Sequence, residues 1–326
     1  MKSESMEEIN STEMAMFYNV ENLFLPDPEP IHHLDPTKSG LWNWNQKRYE
    51  NKIFKIAHVA ELVKEEHSKV PFLIGLSEIQ GKEVLNDLLK NEIFSNYDFV
   101  HYDSMDERGV DVALLYDTTK IQIISSEAIP FKFEIVNTNP DDFDTTRDVL
   151  HCKVLFNDKI LNIFVLHLPS KREKDINLPK REFITRDISD RISHIIKDKN
   201  EAVMVMGDFN SNPDEKVIEN LTIDKEFNKI LTNPYFDLYK NNVFSGFYYK
   251  NGLLFDQILL SQHFFNPNSF IEFKNAMVFS PEKISSWDRQ FKGRPFRTYA
   301  GTRYLGGYSD HFPVITKFET RRTFEN

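Results

Sequence analysis

Apolar residues along the chain gather into short runs that break off at polar or acidic positions, and these runs alternate with longer segments of helical spacing. "MAMFYNVENLF" from Met14, "VPFLIGLSEIQG", "GVDVALLYD", "HCKVLFNDKILNIFVLHLPS", "AVMVMGDFN", "LLFDQILLS" and "HFPVITKF" each read as strands, the fourth being a hairpin that turns at Asn157-Asp158. In "NQKRYENKIFKIAHVAELVKEE", Ile53, Ile56, Ala57, Ala60 and Val63 recur at i, i+3, i+4 spacing and predict an amphipathic helix. "KEVLNDLLKNEIF" predicts a second helix and residues 177 to 197 a third. Strands alternating with helices predict an α/β protein with mixed sheets and helices outside. Pro and Asp keep "LPDPEPIHHLDPTKSG" out of regular structure. Long loops are expected at about 26–45, 136–148 and 279–307, lengths that point to binding loops or disorder. No Gly/Ser linker or short repeat divides the chain, so residues 14–326 are expected to form one domain behind a flexible polar tail, residues 1–13.

Composition supports a large folded core. Of 326 residues, 40% are hydrophobic and 13% aromatic, far above a disordered chain. The single cysteine, Cys152, allows neither an intramolecular disulfide nor a cysteine metal cluster, which suits a reducing compartment. The N-terminus has no apolar signal region and no run is long enough to span a bilayer, so the expectation is a cytoplasmic protein without a membrane span. A net charge of −10 works against a general positive field that would hold the protein on nucleic acid. It agrees with acids gathered round a divalent cation, and no protein partner is implied.

Candidate chemistry lies in or just beyond the ends of the apolar runs: Asn19 and Glu21, Glu78, His167, Asp208 and Asn210, Asp256, and Asp310 with His311. Each has a plain reading by itself. Asp and Asn after a strand commonly cap turns or helices, and a histidine there is commonly a hydrogen-bonded structural residue. Six such stretches in one chain point instead to strand ends converging on a site. Glu78 and Asp310, with Asn19, offer oxygen ligands that suit Mg²⁺ or Mn²⁺ better than zinc. A cation there would polarise a phosphoryl oxygen. Asp208 is suited to orienting or deprotonating water, Asn210 to holding a phosphoryl oxygen, a histidine to donating to developing charge, and Asp256 to fixing a histidine tautomer.

The ordered segments "FYNVENLF", "GLSEIQG", "RGVDVALLYD", "LHLPSK", "GDFNSNP", "FDQILLS" and "YSDHFPV" resemble the motif series of the endonuclease/exonuclease/phosphatase superfamily, over about residues 14 to 318. Its members are similar to deoxyribonuclease I, exonuclease III-type abasic endonucleases, neutral sphingomyelinases and inositol polyphosphate 5-phosphatases. The resemblance implies a four-layer α/β/β/α sandwich of two packed mixed sheets with the site at one edge. It implies a metal held by Asn19 and Glu78, with Asp310 and Glu21 nearby. Asp208 matches the water-activating aspartate, Asn210 the residue on the scissile phosphate, His311 the histidine on the transition-state phosphate, Asp256 its carboxylate partner and His167 a second histidine near the leaving group. A phosphoinositide 5-phosphatase would carry a Trp-Cys-Asp-Arg run around Asp256, where this chain reads "LLFDQILL", and an abasic endonuclease typically has Tyr in place of His167.

Substrate clues carry two readings each. Arg108 and Arg147, at strand starts, are either solvated charges or bidentate phosphate ligands. In "KISSWDRQFKGRPFRTYAGTRYLGG", basic residues including Arg294 and Arg297 interleave with aromatics including Trp287. Such a loop either binds phosphates and stacks bases or packs its aromatics inward under Arg stems. The Trp42/Trp44 loop is a second candidate wall, and no basic amphipathic helix suits a lipid surface. The sequence therefore predicts a Mg²⁺-dependent phosphoesterase, with Mn²⁺ as substitute, acting on a phosphate-ester substrate by attack of water. A nuclease-like phosphodiesterase acting on nucleic acid leads. The alternatives are a phosphatase for a small phosphorylated sugar, nucleotide or lipid headgroup, and a non-catalytic binding module on the same fold.

Overall fold

The structure, a computed structural model, describes residues 8–26, 41–106, 108–134, 143–171 and 174–323. Much of the expected loops 26–45 and 136–148, and residues 1–7 of the expected tail, lie outside these. In chain order the main elements are β1 (Glu8–Leu23), α1 (Gln46–His67), β2 (Leu73–Ile79), α2 (Gly81–Leu89), β3 (Tyr97–His101), β4 (Asp111–Asp117) and β5 (Ile121–Ile129). There follow β6 (Val149–Phe156), β7 (Lys159–His167), α3 (Leu178–Lys199), β8 (Ala202–Asp208) and α4 (Lys216–Thr222). The series ends with β9 (Leu231–Thr232), β10 (Asp256–Ser261), β11 (Ile271–Val278) and β12 (Val314–Thr323).

These strands form two six-stranded sheets, β11-β12-β1-β2-β4-β3 and β9-β10-β8-β7-β6-β5. Each contains one parallel pair, β1 with β2 and β7 with β8, and in each the pair is joined through a long helix, α1 or α3. All other neighbours in both sheets run antiparallel. Strand alternation sorts the side chains into layers. Ala15 and Phe17 of β1 meet Met204 and Met206 of β8 between the sheets, while Met14 and Met16 face α1 and α2 and Val203 and Val205 face α3 and α4. The result is the expected α/β/β/α sandwich.

Helix ends are set by local chemistry. The Asn45 side chain accepts from Arg48 N at 3.2 Å to start α1, and Ser68 and Asn200, both in the left-handed region, stop α1 and α3. Asn157 and Asp158, at φ 49° and 60°, make the expected hairpin turn between β6 and β7. Among the described residues no helix is long and apolar enough to cross a membrane.

Two expectations need correction. The first strand begins at Glu8, not Met14, because β12 continues to Thr323 and pairs residue for residue with positions 8–17. The acidic and hydroxyl residues that read as tail are accommodated there: buried Glu13 meets Lys69 at 3.2 Å and Lys120 at 2.8 Å, and Ser11 Oγ lies 2.9 Å from Thr320 Oγ1. The 279–307 segment, expected as a loop, contains a 3-10 turn at Glu282–Ile284 and a small ribbon pairing Tyr299–Ala300 with Arg303–Tyr304.

Gly207, beside Asp208, sets how closely β7 and β8 approach. A Cβ there would collide with the Leu166 carbonyl oxygen, a backbone atom that has no room to move within the sheet. Gly207→Ala is expected to lower unfolding free energy by about 1–3 kcal/mol in chemical denaturation; a change below roughly 0.5 kcal/mol would show that the strand pair relaxes freely.

Candidate active site

The polar end of the inter-sheet core forms the site. Along β8 the inward positions run Met204, Met206, Asp208; along β7 they run Ile163, Val165, His167; β10 begins with Asp256 ahead of Ile258. Register places Asp208 directly opposite both His167 and Asp256. Three of the candidate side chains thus share one face across three neighbouring strands, where the apolar layer stops. Across the gap Asn19, next after Ala15 and Phe17 on the inward face of β1, donates from Nδ2 to Asp208 Oδ2 at 3.0 Å, joining the sheets.

His311 enters from the segment before β12. Its Nδ1 lies 2.6 Å from Asp256 Oδ2, and because a carboxylate only accepts, Nδ1 carries the proton and Nε2 faces the site. Nε2 is 3.9 Å from Asp208 Oδ2, and His167 Nε2 approaches the same oxygen at 3.7 Å. Ser245 Oγ donates to the same Asp256 oxygen at 2.5 Å, and Phe312 N donates to Ser245 O at 2.6 Å, so this serine ties the histidine's backbone to its carboxylate. Ser309 Oγ adds a bond to Asn19 O at 2.7 Å. Nothing in the polar segment "NNVFSGF" marks Ser245, and sequence reading missed it.

Strand ends here depart from regular geometry to aim their side chains. Glu21, Asn22, Glu78 and Asn210 all adopt positive φ, between 46° and 66°, and the β1–β2 register breaks at the first three. Left-handed backbone at non-glycine residues costs energy and is concentrated where function holds it. Glu78 Oε2 accepts from Asn22 N at 2.8 Å and lies 3.8 Å from Arg108. Asp310 meets Arg297 at 3.1 Å and lies 4.0 Å from His311 Nε2. Arg108 also donates to Asn22 Oδ1 at 2.5 Å, and Arg147 lies 3.5 Å from Asp106 within electrostatic range of Glu78 and Asp208.

Some expected residues take other work. Glu21 accepts from Thr298 N at 2.6 Å and Tyr299 N at 3.3 Å, so it anchors the segment carrying Arg297 instead of presenting a free carboxylate. Lys52 of α1, unflagged by sequence because it sits in a helix pattern, is buried and donates to Thr298 Oγ1 at 2.6 Å and Tyr308 O at 2.7 Å in the same network. Asn210 spends its amide nitrogen on Leu168 O at 2.9 Å, while its backbone N donates to Asp208 Oδ1. Arg294 stacks over Phe247 and Phe291 and donates to Tyr249 O, the packing alternative for that loop. Trp287, 80% exposed, leans on Phe296. Trp44 is buried with Nε1 bonded to Phe24 O, which makes it core, not a wall.

Among the described residues, acid and histidine donors come within 4.8 Å of one another in two groups: Asp208, Asp256 and His311, and His101, Asp103 and Asp111. The second group, which sequence reading missed, is internally satisfied. His101 uses both nitrogens on Val112 O and Asp103, and Asp111 accepts from Ser104 N and Oγ.

Protonation follows from burial and neighbours. Burial, reinforced by Asp256, pushes the Asp208 carboxyl up to about 6, with His311, Asn210 N and Asn19 pulling the other way. Burial opposes the charge on His311, yet Asp256, Asp208 and Asp310 outweigh it and hold this histidine well above its ordinary value. His167 goes the other way: burial, then Arg147, Arg108 and His311, hold it well below. At neutral pH the site therefore pairs a cationic His311 with a neutral His167 around one carboxylate.

Similarity to known proteins agrees with the fold. No curated protein sequence gives a significant match. The chain resembles the solved structure of D. rerio TDP2 carrying 14 humanising mutations, at 16% identity over 95% of this chain and 99% of that one, with a TM-score of 0.57. Mannosyl-6-phosphatase from Bacteroides thetaiotaomicron matches at 15% identity over 94% and 99%, TM-score 0.58. The human Nocturnin catalytic domain with bound sulfate matches at 15% over 96% and 97%, TM-score 0.58. Identities this low speak for the fold alone. The family profile described as Endonuclease/Exonuclease/phosphatase family matches residues 14–320, nearly the whole of the described fold, and the chain belongs to that family.

Proposed function

We propose that the protein is a Mg²⁺-dependent phosphoesterase, with Mn²⁺ as substitute, that hydrolyses a phosphodiester by direct attack of water. The observation that carries this reading is Asp208 Oδ2 lying between two histidines where the inter-sheet core ends, 3.7 Å from His167 Nε2 and 3.9 Å from His311 Nε2. Asp208 takes the proton of the attacking water, and Asn19 and Asn210 fix its orientation. His311, oriented by Asp256 and Ser245, donates from Nε2 to the phosphoryl oxygen where negative charge develops. His167, neutral and buried, faces the leaving side.

The donor chemistry fits a hard divalent cation: Glu78, Asp310 and the Asn19 amide oxygen, which accepts from Glu21 N at 3.0 Å, are oxygen donors, and Glu78 and Asp310 both act electrostatically on Lys52. These three residues would hold it, and when bound it supplies Lewis-acid polarisation of the phosphate. Glu21, expected in this set, supports it from behind through the Thr298 segment. Nucleic acid leads as substrate because Arg297, bonded to Asp310, continues into a segment with exposed Trp287 and Phe291 and the neighbouring exposed Tyr248 and Tyr249, suited to backbone charge and base stacking. A small sugar phosphate is the second reading, favoured by the structural likeness to a mannosyl-6-phosphatase.

Screening with Mg²⁺ and Mn²⁺ against plasmid, single-stranded oligonucleotide, mannose 6-phosphate and inositol phosphates separates these readings. On the best substrate, Asp208→Asn is expected to lower turnover by roughly two to four powers of ten, and near-normal turnover would remove Asp208 from proton transfer. Glu78→Gln is expected to raise the half-saturating Mg²⁺ concentration by about tenfold or more, with an unchanged titration counting against Glu78 as ligand.

The pH profile has a defined sign. Activity falls below about pH 6 as Asp208 takes up a proton, and at alkaline pH as His311 loses one. Asp256→Asn removes the largest charge that keeps His311 protonated, so the alkaline limb is expected to move to lower pH, by roughly one unit or more. A limb that stays put or moves upward would remove the pair from catalysis.

A further inference from the structure

Lys52 is buried where contact alone gives a cation little in return. Lysine is almost never withdrawn from water unless it is paired. Yet Lys52 of α1 is 1% exposed, and both of its hydrogen-bond partners are neutral, Thr298 Oγ1 at 2.6 Å and Tyr308 O at 2.7 Å. Among the described residues no carboxylate lies within ion-pair distance of it. Burial pushes its ammonium down to about 8, while Glu21, Asp310 and Glu78 pull the other way, so the charge persists at neutral pH.

The segment it touches is docked on α1 by other contacts as well. Arg48 lies over the Tyr304 ring at 4.3 Å, Asn51 donates to Tyr304 Oη at 3.0 Å, Lys55 lies over the Tyr308 ring at 4.2 Å and His58 Nδ1 is 2.9 Å from Tyr308 Oη. These residues recur every three or four positions along one face of the helix, on both sides of Lys52. A neutral donor at position 52 would complete that docking, so the charge needs another account. What it reaches is the acidic end of the site: it acts on Glu21, Asp310 and Glu78, and the last two are the acids that would hold the divalent ion. Arg108 and Arg297 face the same two acids, but their side chains are 36% and 44% exposed, where water and salt screen them. The buried lysine escapes that screening.

We propose that Lys52 is a built-in counter-cation of the metal site that limits how tightly the divalent ion is held. This deepens the phosphoesterase reading and rests on its assignment of Glu78 and Asp310 as ligands. The field of Lys52 subtracts from the negative potential that draws the ion in, and it lowers the repulsion that an arriving phosphate anion meets from the same acids. Lys52 acts through those acids and touches neither ion nor substrate. The competing role, a structural pin for Thr298 and Tyr308 alone, predicts a different phenotype.

Mg²⁺ titrated calorimetrically into the full chain, without substrate, tests this independently of turnover. Lys52→Gln, which keeps a donor for Tyr308 O and loses the charge, is expected to bind Mg²⁺ about threefold or more tighter at about pH 7, and the difference should survive high ionic strength because the charge removed is buried. Lys52→Met, losing charge and donors together, should tighten Mg²⁺ binding to a similar extent while lowering the thermal midpoint of the ion-free protein. Thr298→Val keeps the charge and removes one acceptor, so its Mg²⁺ affinity should match the wild type. Mg²⁺ binding in Lys52→Gln equal to or weaker than wild type, or equal tightening in Thr298→Val, would overturn the proposal and leave Lys52 as a structural pin. No saturable Mg²⁺ binding by the wild type would be a separate failure, of the ligand assignment itself, and would take this inference with it.

Discussion

Everything at the site depends on register in the second sheet. Because strand side chains alternate with period two, a slip of one residue between β7 and β8 would turn His167 away from Asp208, and a slip between β8 and β10 would do the same to Asp256. The apolar residues behind them hold that register. Met204 and Met206, Val165 and Ile163, Ile258 and Leu260 lie on the same face and are buried between the sheets, so a slip would exchange them for Val203, Val205, Phe164, Leu166 and Leu259 of the helix-facing layer and bring Asn162 or Gln257 into the interlayer. The polar row and the core are consecutive positions of one pattern, and neither can move alone.

A second constraint comes from the first sheet. There the chain reaches the site through irregular strand ends: Glu21, Asn22 and Glu78 sit in left-handed backbone where β1 and β2 lose their register. Regular strands would point alternate residues to opposite faces; the break lets Asn19 reach Asp208 while Glu21 two positions later holds the Thr298 segment. Lys52 grips that segment from the helix side, so α1, β1 and the run leading to Asp310 and His311 are locked at one point. The two sheets supply different things: the second gives the row of proton-handling groups, the first gives oxygen donors and the frame that positions the final histidine.

This division explains what the sequence disclosed. Residues that end an apolar run, such as Asp208 in "VMVMGDFN" and His167 in "FVLHLPS", stand out because the pattern itself changes there, and the ordered motifs located Asp256 and His311. The sandwich followed from the same alternation. The strands overlooked, β3, β5 and β11, lie at or next to sheet edges with many half-exposed positions, where alternation blurs. Ser245 and Lys52 escaped for a related reason: each acts through long-range contacts, 11 and 246 residues away for Asp256 and Thr298, from local patterns that look ordinary. The exchanged expectations for Glu21 and Arg294 have the same origin, since type and spacing name what a side chain is able to bind and not which partner arrives first.

The charge balance at the site is selective. A chain of net charge −10 that receives an anion must screen its own acids, and here most have a cation assigned. Arg108 stands by Glu78, Arg297 by Asp310, His311 by Asp256, and Lys52 acts on Glu21. Asp208 is different. Among the described residues no lysine or arginine lies within ion-pair distance of it; its close polar neighbours are two histidines and the Asn19 amide. Pairing with a fixed cation would hold a carboxylate ionised and weakly basic, whereas burial beside Asp256 raises its proton affinity toward neutrality. Asp208 is therefore an acid whose proton can be exchanged near physiological pH, as is Glu21, which burial and Asp310 push up to about 7; of the two, Asp208 is the one beside both histidines, and an exchangeable proton is the property a general base requires.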